Sequence, residues 1–411
     1  MDSKFDTIVL DIETDSLDAT KIHCICVQDY ATGEQKDFIQ EQGCEEFKEF
    51  HNHERKYIMH NGISFDGPVL ERLLGITIPL ENIIDTLIIS QMINAHIDGG
   101  HSLKSWGKKL TRGGKLEFKD FDEYSEEMLK YCQQDVNVTR KLMQHLAPKI
   151  TRFSVESVRM EHRIRRIIDQ QEKNGFYLNV NKAHDLLEEL KTKSQDLNRD
   201  LQIIFPTIYT PRFHKTTGKP LKDHVDEFNP SSRKQIAERL QKKYNWVPTK
   251  TTPTGLPVID EKVLKELEYP EAKMIAEYLL YEKRVSQIQS WLKNVKNDNR
   301  VHGRVITLGC VTALMSHYGP NMAQVPASYS PYGKECRSLW TIENPDKYCL
   351  VGSDASGLEL RCFAHYLQNP KFTEQVVDGD IHTYNQNIIG LKDRPTAKTW
   401  VYAFIYGAGD A

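Results

Sequence analysis

Two carboxylates at alternate positions, Asp11 and Glu13, follow the run Thr7–Leu10 near the start of the chain. The β-branched and apolar composition of this run predicts a strand, and its period of two would place both carboxylates on one face. Carboxylates so close together repel each other unless a cation lies between them, and Mg²⁺ takes such oxygen ligands. The pair therefore indicates a metal site, with a solvated strand end as the commoner occurrence of this pattern.

A second acidic residue of interest, Asp66, lies between a predicted strand and a predicted helix. The short strand Tyr57–Met59 leads into a turn that begins at Asn61 and reaches Phe65 and Asp66. Pro68 follows two residues later, at a position that suits the first turn of a helix. We therefore expect Asp66 at the junction of the turn and the helix.

A third group lies in a predicted helix over 124–146, whose apolar residues recur every three or four positions. Tyr131 and Asp135 are four residues apart there, so they lie on one face, one turn from each other. Two further acidic residues, Asp15 and Asp85, are expected to have surface or capping roles.

These three groups resemble, in order and in predicted structural setting, the motifs of the DEDDy 3′–5′ exonucleases. The resemblance implies that the metal ligands are Asp11, Glu13, Asp66 and Asp135, and that Tyr131 orients the attacking water. Hydrolysis of a phosphodiester requires an activated water and neutralisation of charge on the attacking and leaving oxygens, which paired divalent ions supply. We expect Mg²⁺, with Mn²⁺ as an alternative.

Residues 211–250 are the most basic stretch of the chain, with ten Lys and Arg against four Asp and Glu, although the net charge of the whole chain is −3. Phosphate contact is the simplest use of such a patch. Within it, Asn229–Ser232 opens a helix whose N-terminus could bind phosphate, with an ordinary capped helix as the alternative. Long predicted helices over 180–205 and 262–295 flank this stretch and are expected to form an antiparallel pair.

The stretch FNPSSRKQI resembles the thumb signature of family A DNA polymerases, and residues 311–326 resemble their thumb-to-palm segment. The resemblance implies DNA contacts by Asn229, Ser231, Ser232, Lys234 and Gln324. The family has Thr-Gly-Arg where this chain has Thr312-Ala313-Leu314, and Leu314 cannot donate a hydrogen bond to a base edge. This departure bears on primer-terminus sensing and on polymerisation itself.

The run Tyr348–Gly352 predicts a strand that ends just before Asp354. The following sequence, SDASGLELR, resembles motif A of family A polymerases. By that resemblance Asp354 is a metal ligand, the carbonyl of Ala355 completes the site, and Glu359 helps to exclude a ribose 2′-OH. The resemblance also makes His382 a candidate phosphate contact.

Four residues near the end, Arg394, Lys398, Tyr402 and Tyr406, recur every four positions and so share one face of a predicted helix. Two cations and two aromatic rings on one face suit a triphosphate and a base. The segment resembles motif B, the fingers helix of the family. Arg394 and Lys398 would then bind the triphosphate, and Tyr402 would lie by the sugar.

The resemblance spans nearly the whole chain and is to the T-odd podophage replicative type of family A polymerases. It implies an α/β + α fold: an RNase-H-like exonuclease domain with a mixed sheet and helices, then a helical thumb, then a partial palm and fingers. We expect these domains over 1–150, 151–345 and 346–411, with primer-template DNA and dNTPs as partners. The region 211–228 is short compared with the phage thumb insertion, so thioredoxin is not expected to bind in the same way.

The motif C of the family, whose carboxylate is the second metal ligand for polymerisation, does not occur before Ala411. We therefore expect this chain alone to degrade DNA 3′ ends rather than extend them, and expect a C-terminal polymerase fragment as a partner. The alternative is a catalytically silent DNA-binding or assembly fragment that requires a second polypeptide. A stand-alone nuclease is disfavoured by Asp354 and by the helix over 394–406.

The composition, with 39% apolar and 27% charged residues, is typical of soluble globular proteins. The first residues do not resemble a signal peptide, and no apolar run approaches the roughly 18 residues that span a bilayer. The eight cysteines include no C-x-x-C pair, so we expect them to be reduced and buried. These features predict no membrane association and a cytoplasmic location, and the phage resemblance implies that the cytoplasm is that of the host.

Overall fold

The protein divides into two compact units, one ending at Glu343 and the other beginning at Asn344. Residues 1–4 and Ala411 lie outside the described part of the chain. The expected absence of a signal peptide depends partly on those first four residues. The structure, a computed structural model, describes residues 5–111, 116–248, 250–252 and 255–408.

A five-stranded sheet forms the centre of the first 150 residues. Its strands are β1 (Thr7–Thr14), β2 (Ile22–Asp29), β3 (Gln35–Ile39), β4 (Lys56–Met59) and β5 (Ile83–Asp85). Their order is β3-β2-β1-β4-β5, with β1 antiparallel to β2 and parallel to β4. The sheet is therefore mixed, as predicted.

Helices cover both faces of this sheet. They are α1 (Gln40–Phe50), α2 (Asp66–Leu74), α3 (Thr86–Ile93), α4 (Leu103–Leu110) and α5 (Glu126–Ile150), with a short 3₁₀ helix at Leu80–Asn82. Ile8 and Leu10 pack on one face with Phe47 of α1. Val9 packs on the other face with Val136 of α5. Because side chains alternate along β1, Asp11 and Glu13 share the face that α5 covers.

The remainder of the first unit is mostly helical. Its elements are α6 (Val155–Asn174), β6 (Phe176–Leu178), α7 (Val180–Ile204), β7 (Ile208–Phe213), β8 (Pro220–Asp226), α8 (Arg233–Tyr244), α9 (Glu261–Glu266), α10 (Pro270–Asn294), β9 (Arg300–Val301), β10 (Arg304–Ile306), β11 (Ser316–Tyr318), a 3₁₀ helix at Met322–Gln324, α11 (Gly333–Arg337) and β12 (Trp340–Thr341). The short strands form three small sheets, β12-β6-β9, β10-β11 and β7-β8.

The predicted antiparallel helix pair is confirmed as α7 and α10. Leu187 in the first half of α7 shares an apolar cluster with Ile288 near the end of α10, whereas Leu201 near the end of α7 shares another with Ile275 near the start of α10. The prediction of one helix over 262–295 is wrong, because α9 ends at Glu266 and α10 begins at Pro270. Proline disfavours helical geometry in the residue before it and has no N–H to donate, so it begins a new helix instead of continuing the old one.

The second unit contains helices around a small apolar core of Leu360, Ile381 and Val401. These helices are α12 (Leu358–Leu367), α13 (Pro370–Val377), α14 (Ile381–Ile389) and α15 (Arg394–Ile405). The predicted strand Tyr348–Gly352 is wrong: this run is exposed and irregular, as is Asp354 after it. A strand is stabilised by hydrogen bonds to a neighbouring strand, and residues 344–408 provide none.

Burial of the cysteines follows the prediction only in part. The buried ones are Cys24, Cys26, Cys44, Cys132 and Cys336. Cys349 and Cys362, in contrast, are exposed. Cys349 lies in an irregular segment, and Cys362 lies on the solvent-facing side of α12, whose buried residues are Leu360 and Ala364. Among the described residues, no helix is both long enough and apolar enough to cross a membrane.

Candidate active sites

Asp11 and Glu13 lie close together because β1 continues through both of them. A carboxylate oxygen of each, together with the Sγ atom of Cys132, forms a group whose atoms all lie within 4.8 Å of one another. Glu13 is buried and Asp11 is half-buried. The predicted same-face pair is confirmed, and it is placed where the sheet meets α5.

Asp66 is the first residue of α2 and is almost fully buried. Its carboxylate accepts the backbone N–H of Ile12, the residue between Asp11 and Glu13, so it lies beside β1. Burial, with a smaller contribution from the nearby charge of Asp85, raises the pKa of Asp66 to about 7. A divalent cation would favour the ionised form of this carboxyl group.

Asp85 holds the turn that precedes Asp66. Its carboxylate accepts the backbone N–H of Leu87 as the cap of α3, which confirms the expected capping role. It also accepts the N–H groups of Asn61 at 2.9 Å and Ile63 at 3.2 Å. Asp85 therefore connects the start of α3 to the turn that positions Asp66, a function that the sequence pattern did not indicate.

Tyr131 and Asp135 lie on α5, as predicted. Asp135 is buried, and Tyr131 is half-buried. The ring of Tyr131 packs near Phe118 and Phe121, with centroid distances of 5.8 and 6.2 Å. On the same helix, the Sγ atom of Cys132 lies 3.5 Å from the carbonyl oxygen of Asp11.

The other early acidic residue, Asp15, has the local role that was expected. Its carboxylate accepts the hydroxyl and backbone N–H of Thr20 and the N–H of Lys21. These hydrogen bonds, that of the Thr20 hydroxyl first, lower the pKa of Asp15 to about 2. This carboxylate stabilises a turn.

Sequence reasoning missed two thiols that face the carboxylate pair. The β1–β2 register sets Asp11 opposite Cys26 and Glu13 opposite Cys24. In an antiparallel pair, directly opposed side chains lie on the same face of the sheet. The alternating C-x-C was the available signal, but only the register connects it to D-x-E.

The predicted thumb contacts surround the start of α8. Asn229 accepts the N–H of Ser231, and the Ser232 hydroxyl caps the helix by accepting the N–H of Gln235. The Ser231 hydroxyl lies 3.3 Å from that of Tyr278. The helix is therefore capped by its own side chains, while Asn229 and Ser231 remain exposed.

Two cations of the basic stretch are engaged within the protein. Arg239 is buried and forms an ion pair with Asp226 at 3.1 Å. Lys243 forms one with Glu271 at 2.6 Å. Arg239 therefore does not contribute to the predicted phosphate-contacting patch, because its guanidinium is taken up by an internal partner. Lys234, in contrast, is exposed.

The thumb-to-palm segment places its two notable residues at the surface. Leu314 is 52% exposed, and Gln324 ends a short 3₁₀ helix. Gln324 borders a groove shared with Lys283 and Gln287 of α10. The lining includes further hydrogen-bonding side chains, Ser286, Ser290 and Asn321, beside the apolar Trp291 and Pro320.

In the second unit, α15 carries Arg394, Lys398 and Tyr402, as predicted. The prediction is wrong for Tyr406, because α15 ends at Ile405 and Tyr406 is its C-cap residue. The Arg394 guanidinium makes two hydrogen bonds to the carboxylate of Asp380, at 2.8 and 3.2 Å. Asp380 also caps α14 by accepting the N–H of His382. The predicted triphosphate ligand Arg394 is thus held by an acidic residue of the preceding helix.

Tyr402 interacts with several of the predicted nucleotide-site residues. Its ring lies 6.1 Å from that of His382. Burial first, and then the charge of Glu359 and that of Asp354, raise the pKa of Tyr402. Tyr402 thus packs near His382 and is influenced by the charges of Glu359 and Asp354, although Asp354 and Ala355 are in an exposed segment.

Comparisons with known proteins agree with this arrangement. Residues 1–151 match a family model described as 3′–5′ exonuclease, and residues 209–411 match one described as DNA polymerase family A. The chain is 32% identical to the DNA-directed DNA polymerase of Escherichia phage T7, with 98% of this chain and 76% of that relative covered. It is 26% identical to DNA polymerase I of Helicobacter pylori, over 81% of this chain and 36% of the relative.

A solved structure shows the same fold. It is the POL domain of Pol1 from M. smegmatis in complex with DNA primer-template and dNTP, with a TM-score of 0.72 and 15% identity. The match covers 97% of this chain and 67% of that one. The chain thus belongs to the family A DNA polymerases of the phage type, and it carries both a DNA-directed DNA polymerase domain and a 3′–5′ exonuclease domain.

Proposed function

We propose that this chain removes nucleotides from DNA 3′ ends by divalent-ion-dependent hydrolysis at the site around Asp11. The observation that carries the proposal is the close group formed by Asp11, Glu13 and Cys132 on the sheet face under α5. The carboxylate of Asp66 is held beside the same strand. We assign the exonuclease to residues 1–150, the start of the polymerase with its thumb to 151–345, and the palm and fingers to 346–411.

The donor set fits a hard divalent cation. Asp11, Glu13, Asp66 and Asp135 supply carboxylate oxygens, the ligand type that Mg²⁺ and Mn²⁺ prefer. Two of them, Asp66 and Asp135, are almost fully buried, where unneutralised negative charge is costly. When bound, the cation lowers the pKa of water and neutralises charge on the scissile phosphate.

The protein side chains supply the positioning. Asp85 fixes the turn before Asp66 through the N–H groups of Asn61 and Ile63. Phe118 and Phe121 limit the motion of the Tyr131 ring, whose hydroxyl we assign to orienting the attacking water. A fixed hydroxyl lowers the entropy loss in reaching the reactive geometry.

The second proposed site binds primer-template DNA and a dNTP. Asp354 and the Ala355 carbonyl are its metal ligands, and the nucleotide contacts are Glu359, His382, Arg394, Lys398 and Tyr402. The proximity of Tyr402 to His382, Glu359 and Asp354 supports this assignment. Asn229, Ser231, Ser232, Lys234 and Gln324 are the proposed DNA contacts of the thumb. The setting is the host cytoplasm, where phage replication enzymes act.

For the 411-residue polypeptide tested alone, we propose shortening of DNA rather than extension. Asp354 is the carboxylate that the motif A resemblance supplies, and it lies in an exposed, irregular segment. Extension of DNA needs a second carboxylate as a metal ligand, and we propose that a C-terminal polymerase fragment supplies it. The second candidate function, a DNA-binding or assembly role without chemistry, is favoured only by the basic stretch over 211–250.

A substitution at Asp11 separates the two candidates. The chain is incubated with 5′-labelled single-stranded DNA and Mg²⁺, and Asp11→Asn is compared with Asp15→Asn as the matched control. We expect loss of shortening only in the Asp11 variant, with DNA binding retained in both. Absence of shortening by the unmodified chain, with DNA binding intact, would favour the assembly role.

A further inference from the structure

Three buried thiols form a cluster beside the proposed exonuclease site. The Sγ atoms of Cys24, Cys26 and Cys132 all lie within 4.8 Å of one another. None of the three side chains has measurable exposure to solvent. Cys132 also belongs to the group that includes Asp11 and Glu13, so the thiol cluster and the carboxylate pair share a member.

The sheet register and one helix build this cluster. Cys24 and Cys26 alternate on β2 and lie directly opposite Glu13 and Asp11 of β1. Helix α5 packs on this face and brings in Cys132 from 106 residues farther along the chain than Cys26. The Cys132 Sγ atom lies 3.7 Å from a carboxylate oxygen of Asp11.

We propose that Cys24, Cys26 and Cys132 bind a soft divalent cation of the Zn²⁺ and Cd²⁺ class, with a carboxylate oxygen of Asp11 as the fourth ligand. Thiolates select such cations over Mg²⁺, and three sulfurs with one oxygen satisfy the four-coordinate preference of zinc. Zinc–sulfur bonds are about 2.3 Å long, so the present sulfur spacing requires only small adjustments of the three thiols. The Asp11 carboxylate contacts Cys132 but lies outside the group of three sulfurs, so it must turn toward Cys24 and Cys26 to complete the site. Of the four proposed ligands, only Asp11 is partly exposed to solvent.

Sharing of Asp11 makes the two kinds of metal compete. Two divalent cations that share one carboxylate repel each other at close range, so a soft cation on the thiols weakens binding of the hard cation. Linkage requires the converse as well: Mg²⁺ weakens binding of the soft cation. Inhibition of nucleotide removal by the soft cation rests on the proposed exonuclease function, whereas cation binding itself does not.

Titration with Cd²⁺ tests the site directly. The full chain carrying Cys349→Ser and Cys362→Ser is used, because these two thiols are exposed. We expect an ultraviolet thiolate-to-cadmium charge-transfer band that saturates at one Cd²⁺ per chain. Cys24→Ala and the volume-conserving Cys24→Ser should each weaken binding at least about tenfold.

The matched control is Cys44→Ala, since Cys44 is also buried but packs in the core on the other face of the sheet. Its Cd²⁺ affinity should equal that of the parent. Absence of the band, or equal loss in Cys44→Ala and in a folded Cys24 variant, would overturn the proposal. A Cd²⁺ affinity that Mg²⁺ leaves unchanged would exclude Asp11 as the fourth ligand. Intact Cd²⁺ binding without any nuclease activity would contradict the proposed function alone.

Discussion

The Nε2 atom of His162 accepts a hydrogen bond from the backbone N–H of Asp85, at 3.0 Å. This contact joins α6 to the last residue of β5, in the sheet that carries Asp11 and Glu13. The Asp85 carboxylate in turn holds the N–H groups of Asn61 and Ile63, in the turn that leads to Asp66. The conformation of a proposed catalytic carboxylate is thus connected, through two buried polar residues, to the helix that follows the exonuclease domain.

The first prediction concerns pH and His162. Its Nδ1 atom lies 2.8 Å from the carbonyl oxygen of Val158, so the neutral ring donates there and accepts from Asp85. Burial lowers the pKa of His162 below its ordinary value of 6.5, and Asp85 only partly opposes this. As the pH falls through 6.5, His162 therefore takes up a proton in the unfolded chain before it does so in the folded chain. Below that pH, the contribution of His162 to the free energy of unfolding decreases as the pH falls further.

Urea unfolding at about pH 8 and about pH 5 measures this effect. His162→Gln, which has no titrating ring, should show a smaller decrease between the two conditions than the unmodified chain. Equal decreases in both proteins would show that His162 does not contribute to the pH dependence.

A second prediction concerns Asp85 and stability. Asp85→Ala leaves the N–H groups of Asn61, Ile63 and Leu87 without their acceptor in a largely buried region. Each such loss costs about 1–3 kcal/mol, so we expect a decrease of at least about 3 kcal/mol in the free energy of unfolding. Asp15→Ala is the control, because that exposed carboxylate also accepts three hydrogen bonds, which water can replace. Similar losses in the two variants would contradict this account.

Much of the first site follows from sequence because its signals are local. The alternation along Thr7–Thr14 and the four-residue spacing of Tyr131 and Asp135 each depend on one element, and both predictions are confirmed. The connection from Asp85 to the turn at Asn61 could not be predicted, because it joins residues far apart in the chain. Composition indicates that Asp85 can cap a helix, but not which other N–H groups it will contact.

A third prediction concerns the departure at Leu314. Leu314→Arg restores a side chain that can contact a phosphate or a base edge, and we expect tighter binding of primer-template DNA. The logarithmic salt dependence should become steeper by about one, as for one additional phosphate contact. Val311→Arg is the control, since Val311 lies in the same loop and is 77% exposed. The affinity for DNA is measured by fluorescence anisotropy across a salt series. Equal changes in affinity and in salt dependence for both variants would contradict the prediction.

A fourth prediction concerns the pairing of Arg394 with Asp380. The hydrogen bonds between them lower the pKa of Asp380 and raise that of Arg394, so each stabilises the charge of the other. Asp380→Asn retains an acceptor for capping α14 but removes the competing charge. We therefore expect tighter binding of a fluorescent nucleoside triphosphate. Asp393→Asn, at the cap of α15 with bonds to Thr396, should leave the affinity unchanged, and equal effects of both substitutions would contradict the prediction.

The sequence was least informative where structure depends on pairing between distant segments. The strand expected over Tyr348–Gly352 has the right composition, but no described strand of its unit lies beside it. The position of Cys24 and Cys26 opposite the carboxylate pair required the β1–β2 register. Composition predicts that a segment can form a strand, whereas the partner and the register determine which side chains meet.

We propose above that nucleotide removal by this chain depends on the carboxylates around Asp11. The most direct measurement uses a 5′-labelled primer annealed to a longer template, with Mg²⁺ and all four dNTPs. We predict progressive shortening of the primer by the unmodified chain and an unchanged primer with Asp11→Asn. Primer extension by the chain alone, or equal shortening by Asp11→Asn, would contradict the account.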